Sequence, residues 1–142
     1  MKPIARALAA GAFLALAIPP AFVLAGAAQE ATLQHYAALA KADDAAFAGF
    51  SADRGEAFFK AEHGTGNPEI TGCTSCHTAD PLKEGHTRAG QAIAPMAVSV
   101  TPDRFGDLAK VEKWFRRNCE TVLGRQCTAL EKGDFIAFMN GR

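Results

Sequence analysis

Cys73-Thr74-Ser75-Cys76-His77 brings together two thiols three residues apart and an imidazole directly after them. Covalent attachment of a c-type haem uses this set of side chains at this spacing. The thiols add to the porphyrin vinyl groups, and one turn of helix aims the imidazole at the iron from one side. A cysteine pair can also be a redox disulfide or half of a zinc site. The first sits in a βαβ unit and the second takes two further ligands, and neither setting surrounds residue 73. The residues therefore point to one covalent haem c on Cys73 and Cys76, with His77 as iron ligand. A structural disulfide is the remaining alternative.

The chemistry of such an iron depends on its second axial ligand. A methionine sulfur would close it in both oxidation states and give an ordinary low-spin electron carrier. Met96 lies only 19 residues after His77, so the chain would have to round the haem quickly; Met139 falls on a helical stripe that reads as core. His35, His63 and His86 lie in polar or loop settings, where surface histidines are the default. Asn118 shares a helix side with Val111, Trp114 and Phe115, with Lys113, Arg116 and Arg117 pointing elsewhere. A buried amide without a partner costs roughly 1–3 kcal/mol. Capping a helix end would satisfy it, and so would facing ferric iron through its oxygen. Cys119 follows at once, with Cys127 eight positions on. With Cys73 and Cys76 on the haem, these two are the remaining pair in an oxidising compartment. A bridge there would contribute roughly 2–3 kcal/mol and pin the segment around residue 118, or act as a plain staple.

The positioning elements read as short helices joined by Gly/Pro-rich loops. Leu33, Tyr36, Ala37 and Ala40 give helical spacing over residues 31–41. Residues 53–62 follow, with Ser51 as cap and Phe58 and Phe59 inside. Residues 63–72 read as loop, and 79–100 show no sustained period. Thr101-Pro102 reads as an N-cap and first helical proline, leading to a helix over about 107–118. Thr128 and Glu131 form a capping box for a last helix with Leu130, Phe135, Phe138 and Met139 largely on one side. The fold class is all-α. Its order resembles a class I cytochrome c: N-terminal helix, haem motif, loops over the haem, C-terminal helix. Gly55 and Phe59 resemble the glycine and aromatic at that fold's helix crossing, with Phe135 or Phe138 as partner. The stretch 63–72 is longer than the common pattern and is expected to bulge at the haem edge.

Ahead of these elements, Lys2 and Arg6 precede an uncharged Ala/Leu-rich run and the small residues Ala25-Gly26-Ala27. This is a signal-peptide pattern with cleavage after Ala27 or Ala28, giving a leader over 1–28 and one domain over 29–142. Pro19-Pro20 breaks the run, which argues against an uncleaved membrane anchor. An exported, periplasmic protein also suits haem attachment, which bacteria carry out beyond the cytoplasm. Loss of Lys2 and Arg6 leaves 13 basic against 15 acidic residues, a formal charge of −2, so nothing points to nucleic acid. A domain this small buries a modest share of its surface, and an apolar porphyrin would add to the core.

The segments Thr101-Pro-Asp-Arg-Phe105, Lys110-Val-Glu-Lys-Trp-Phe-Arg-Arg-Asn-Cys119 and Gly124-Arg-Gln-Cys127-Thr128 closely resemble the sphaeroides haem protein (SHP) family of high-spin monohaem cytochromes c. Arg54-Gly55, the stretch before the haem motif and Ile93-Ala-Pro95 share the likeness. The resemblance implies that Asn118 is the sixth ligand of ferric iron and that Cys119 and Cys127 are bridged. It also implies that the asparagine leaves on reduction, opening ferrous iron to NO, CO or O2. That is an electron-transfer and gas-binding haem protein more than a conventional enzyme. Redox partners in the family, a dihaem cytochrome c and a membrane cytochrome b, are the expected partners here. Lys110, Lys113, Arg116, Arg117 and Arg125 would be their docking face or simply a solvated one. Arg88 and Trp114 are further candidates, for the haem propionates.

Overall fold

The computed structural model describes residues 20–142, so most of the expected leader over 1–28 lies outside the described residues. Helix α1 (Pro20–Asp43) begins where proline is best tolerated, at a first helical position. It starts well before the expected 31–41, because the alanine-rich stretch ahead continues the helix at little cost. It runs through the expected cleavage point at 27–28. Its buried side carries Gln29, Thr32, Tyr36 and Ala40. Among the described residues no helix is long and apolar enough to cross a membrane.

Helix α2 (Ala52–Lys60) has the expected cap: the Ser51 hydroxyl accepts from Arg54 N at 3.3 Å. The haem motif forms a single turn, α3 (Thr74–His77), and the loop after it carries a two-residue antiparallel ladder, β1 (Gly85–His86) with β2 (Ala92–Ile93). Helix α4 (Leu108–Leu123) is capped by Asp107, whose carboxylate accepts from Lys110 N at 3.1 Å. Thr101 is not a helix cap. Its hydroxyl donates to the Pro95 carbonyl at 2.9 Å, and residues 101–105 form turns. Helix α5 (Ala129–Asn140) opens on the expected capping box, Thr128 and Glu131 each accepting from the other's backbone. Leu130 faces solvent, unlike Phe135, Phe138 and Met139, because it lies half a turn from Met139.

The core sits where α5 crosses α1 and α2. A Cβ at Gly55 would overlap the Asp134 carbonyl and come within 2.9 Å of Phe138 Cβ, so only glycine permits this approach. Phe59 is fully buried beside both expected partners, with its ring centroid 5.9 Å from those of Phe135 and Phe138. Burial of such a side chain stabilises by roughly 1.5–3 kcal/mol. The crossing also buries a charge that the sequence did not announce. Asp134 accepts from Ser51 N at 2.7 Å and from Arg54 Nε and Nη2 at 2.7 and 2.8 Å, so its carboxylate is paired from two sides. A second polar link joins three helices. The Tyr36 hydroxyl donates to Glu112 at 2.6 Å, and Lys132 Nζ donates to the same carboxylate at 3.0 Å. Burial pushes the Glu112 pKa up, but the bonds from Tyr36 and Lys132 outweigh it and leave the group below its ordinary value.

Candidate functional site

The turn α3 is built on one carbonyl. Cys73 O accepts from Cys76 N at 3.2 Å and from His77 N at 3.0 Å, which places both thiols and the imidazole around a single helical turn. The chain leaves the turn abruptly at Thr78 (φ 59°). Gly85 of the β1–β2 hairpin lies against its back, where a Cβ would come within 2.9 Å of His77 Cα. Cys73 and Cys76 are free thiols, and burial pushes Cys73 up to about 11. At neutral pH the Cys73 side chain is therefore an uncharged thiol.

His77 Nδ1 is buried and has no hydrogen-bond partner. Burial, with the nearby positive charge of Arg104, pushes the imidazole down to about 4, so the ring is neutral and keeps a lone pair for a metal. The surrounding loop is tightly held. Pro95 O accepts from Thr101 Oγ1 at 2.9 Å and Arg104 Nε at 2.8 Å, and Arg104 Nη2 also donates to Ala94 O. From α1, the buried Gln29 side chain donates to Pro102 O and Arg104 O at 2.9 and 2.7 Å. Arg104 is half-buried and pairs with no carboxylate among the described residues; burial lowers its pKa. Free vicinal thiols, a neutral imidazole with an orphaned nitrogen and an unpaired cation beside it fit a haem bearing propionates. Cys73 and Cys76 would hold its vinyl carbons and His77 its iron.

The second-ligand candidates separate clearly. Met96 and Met139 are both buried in the main core cluster, 7 % and 0 % exposed. His35 and His86 are exposed, and His63 lies against Phe58 with Nε2 at 3.2 Å from the Phe58 carbonyl. Asn118 lies inside α4, five residues before its end, so it caps nothing; Gly124, in the left-handed region at φ 66°, closes the helix instead. The expected burial of Asn118 on an apolar stripe is not met: Val111 is buried, but Trp114 and Asn118 are exposed, and the Asn118 side chain makes no hydrogen bond among the described residues. Cys119 and Cys127 are bridged, with their Cα atoms 5.6 Å apart. The bridge ties α4 to the residue just before the cap of α5 and, with Val122 and Leu123, forms a small second core.

The remaining expected residues take other partners. The stretch 63–72 does not stand out as a bulge but folds onto the last turn of α4, where Asn67 N donates to Thr121 O at 2.7 Å. Arg88 pairs with Glu69 at 2.6 Å. Lys113 and Arg117 lean over the half-exposed Trp114 ring, at 5.7 and 5.2 Å from its centroid, so the basic and aromatic sides of α4 meet there.

Residues 45–139 match a family model described as a domain of unknown function, DUF1924. The "Cytochrome c-type protein SHP" of Cereibacter sphaeroides is 46% identical over 117 residues, 82% of this chain and 91% of that protein. The chain belongs to the SHP family of c-type cytochromes. The structure of oxidised SHP, described as an oxygen binding cytochrome c, superposes with a TM-score of 0.74 at 43% identity, covering 80% of this chain and 96% of that one. The solution structure of cytochrome c'' from Methylophilus methylotrophus, presented for the structural basis of haem-ligand detachment, gives a TM-score of 0.69 at 31% identity over 80% and 93%. Membership of the SHP family gives this chain one covalent haem c and the all-α, class I-like fold of these cytochromes. Sequence reasoning missed two contributors to the site, Gln29 and Arg104. Arg104 stood within the quoted Thr101–Phe105 segment, but nothing about Gln29 told it from any other polar helix residue.

Proposed function

We propose that this chain is an exported, periplasmic one-electron haem protein in which His77 holds the iron and Asn118 closes it in the oxidised state alone. Bound haem c, held by Cys73, Cys76 and His77, would supply the Fe(III)/Fe(II) couple and, once reduced, a place for NO, CO or O2. The Asn118 amide oxygen is a hard, weak-field donor, suited to Fe(III) and poorly suited to Fe(II). It would therefore hold the oxidised iron and would be released once that iron is reduced. His77, neutral and backed by the hairpin at Gly85, would hold the iron in both states.

One observation carries this reading: Asn118 stands in mid-helix with its amide unengaged, next to the bridged Cys119, while both methionines are spent in the core. An amide already committed to a cap would have to be pulled from it; this one is exposed and makes no hydrogen bond among the described residues. The oxygen-binding SHP relative and the ligand-detaching cytochrome c'' add support by kinship. Partners are a dihaem cytochrome c donor and a membrane cytochrome b. Lys110, Lys113, Arg116 and Arg117 are exposed on α4 and form no ion pair among the described residues, which suits docking to an acidic redox protein. Arg125 leaves this set, being paired with Glu131 at 2.7 Å.

Absorption spectra of the holoprotein, oxidised and reduced, with and without carbon monoxide, test the proposal. A high-spin ferric spectrum and rapid carbon monoxide binding after reduction are expected. A sulfur–iron charge-transfer band, or a reduced form indifferent to carbon monoxide, means an ordinary low-spin electron carrier.

A further inference from the structure

An α-helix leaves its last four carbonyls without partners inside the helix. In α4 one of them, Glu120 O, accepts from Gly124 N at 3.0 Å. The other three are all met by one distant segment. Asn67 N donates to Thr121 O at 2.7 Å, Gly66 N to Val122 O at 3.3 Å, and Thr65 Oγ1 to Leu123 O at 2.8 Å. Only a glycine fits at 66, since a Cβ there would come within 2.9 Å of the Val122 carbonyl carbon and overlap Thr121. The segment is itself closed at its base, where His63 N donates to Thr71 O at 2.7 Å, and stiffened by Glu69 N on Asn67 Oδ1 at 2.9 Å. Ile70 packs into the small core around the Cys119–Cys127 bridge. Two residues beyond Thr71 comes Cys73.

We infer that residues 63–72 are a strap that positions Asn118: Thr65, Gly66 and Asn67 fix the last turn of α4 relative to the haem-bearing turn, so that the amide comes and goes by rotating its own side chain while the helix stays in place. The inference rests on the Asn118 reading and adds what makes that weak bond possible. A hard, weak donor holds iron only when its backbone is already in position, because little binding energy is available to order a helix end. The strap holds the turn after Asn118 from one side, and the disulfide holds it from the other. Thr65, Gly66 and Asn67 are positioning residues, acting through the last carbonyls of α4.

The test compares ferric and ferrous ligand binding in holoprotein variants. Imidazole added to the ferric protein has to displace Asn118, so its binding rate reports how firmly the amide is held. Thr65→Val keeps the side-chain shape and removes the bond to Leu123 O; this should speed imidazole binding roughly three- to tenfold, the worth of one capping hydrogen bond. Thr65→Ser restores the donor and should return the parent rate. Carbon monoxide binding to the ferrous forms should be unchanged in both, because the amide has already left. A parent-like ferric rate in Thr65→Val, or an equal acceleration in both oxidation states, overturns the strap. Asn118→Ala is the control for the underlying reading. If it binds ferric ligands much faster than the parent while Thr65→Val does not, the strap fails and the ligand stands. If it matches the parent, both fail.

Discussion

Replacing Gly55 by alanine tests the packing that sets α2 against α5. Two effects oppose each other. In an open helix alanine is better than glycine by about 1 kcal/mol. At this crossing the added methyl overlaps the Asp134 carbonyl and lies 2.9 Å from Phe138 Cβ, and neither can rotate aside. Overpacking of that kind costs about 1–3 kcal/mol, occasionally more. Separating the helices to make room would also stretch the three bonds to Asp134, each worth about 1.5–3 kcal/mol when the acceptor is charged. The crowding wins, and the net loss is about 2–4 kcal/mol. Gly133→Ala supplies the contrast: its methyl meets the ring of Phe50, a half-buried side chain that can swing away, so the change should stay under about 1 kcal/mol. Urea unfolding of the ferric holoprotein followed by far-ultraviolet circular dichroism reads both values from the midpoints. A Gly55→Ala protein as stable as the parent, or a Gly133→Ala protein more damaged than it, would refute the reasoning.

Met96→Leu should leave the ferric spectrum unchanged and cost less than about 1.5 kcal/mol in the same urea assay, because Met96 is core; a spectral change would return it to the iron. Reducing the Cys119–Cys127 bridge should lower unfolding stability by about 2–3 kcal/mol, read from urea midpoints with and without dithiol. Hydrogen bonds from Arg125 hold Glu131 below its ordinary pKa, so its contribution is complete above the unfolded value of about 4.3 and lost as pH falls through the lower folded value. Glu131→Gln should therefore cost up to about 1 kcal/mol at about pH 6 and progressively less as pH falls below the unfolded value of about 4.3, by urea unfolding at each pH.

The parts of this molecule that follow local rules could be read directly from the chain. The Ser51 cap, the Thr128–Glu131 capping box and the Gly55–Phe59 crossing each depend on a few residues at fixed spacing, and each forms. The haem motif is equally local, a single turn closed on the Cys73 carbonyl. What escaped the sequence depends on partners far along the chain. Asp134 looks like a surface acid until Arg54, 80 residues earlier, folds over it. Thr101-Pro102 has the pattern of a helix start, yet the Thr101 hydroxyl turns back to Pro95 and Asp107 does the capping. Residues 63–72 have a loop composition, and only the position of the last turn of α4 gives their backbone donors somewhere to go.

The most direct measurement is a pair of crystal structures of the haem-loaded protein, determined from the same crystals before and after reduction. The account predicts the Asn118 amide oxygen on the iron opposite His77 in the oxidised crystal. In the reduced one it predicts the side chain turned away, with α4 unmoved. A sulfur or a second imidazole on the iron, or an asparagine bound identically in both states, would contradict it.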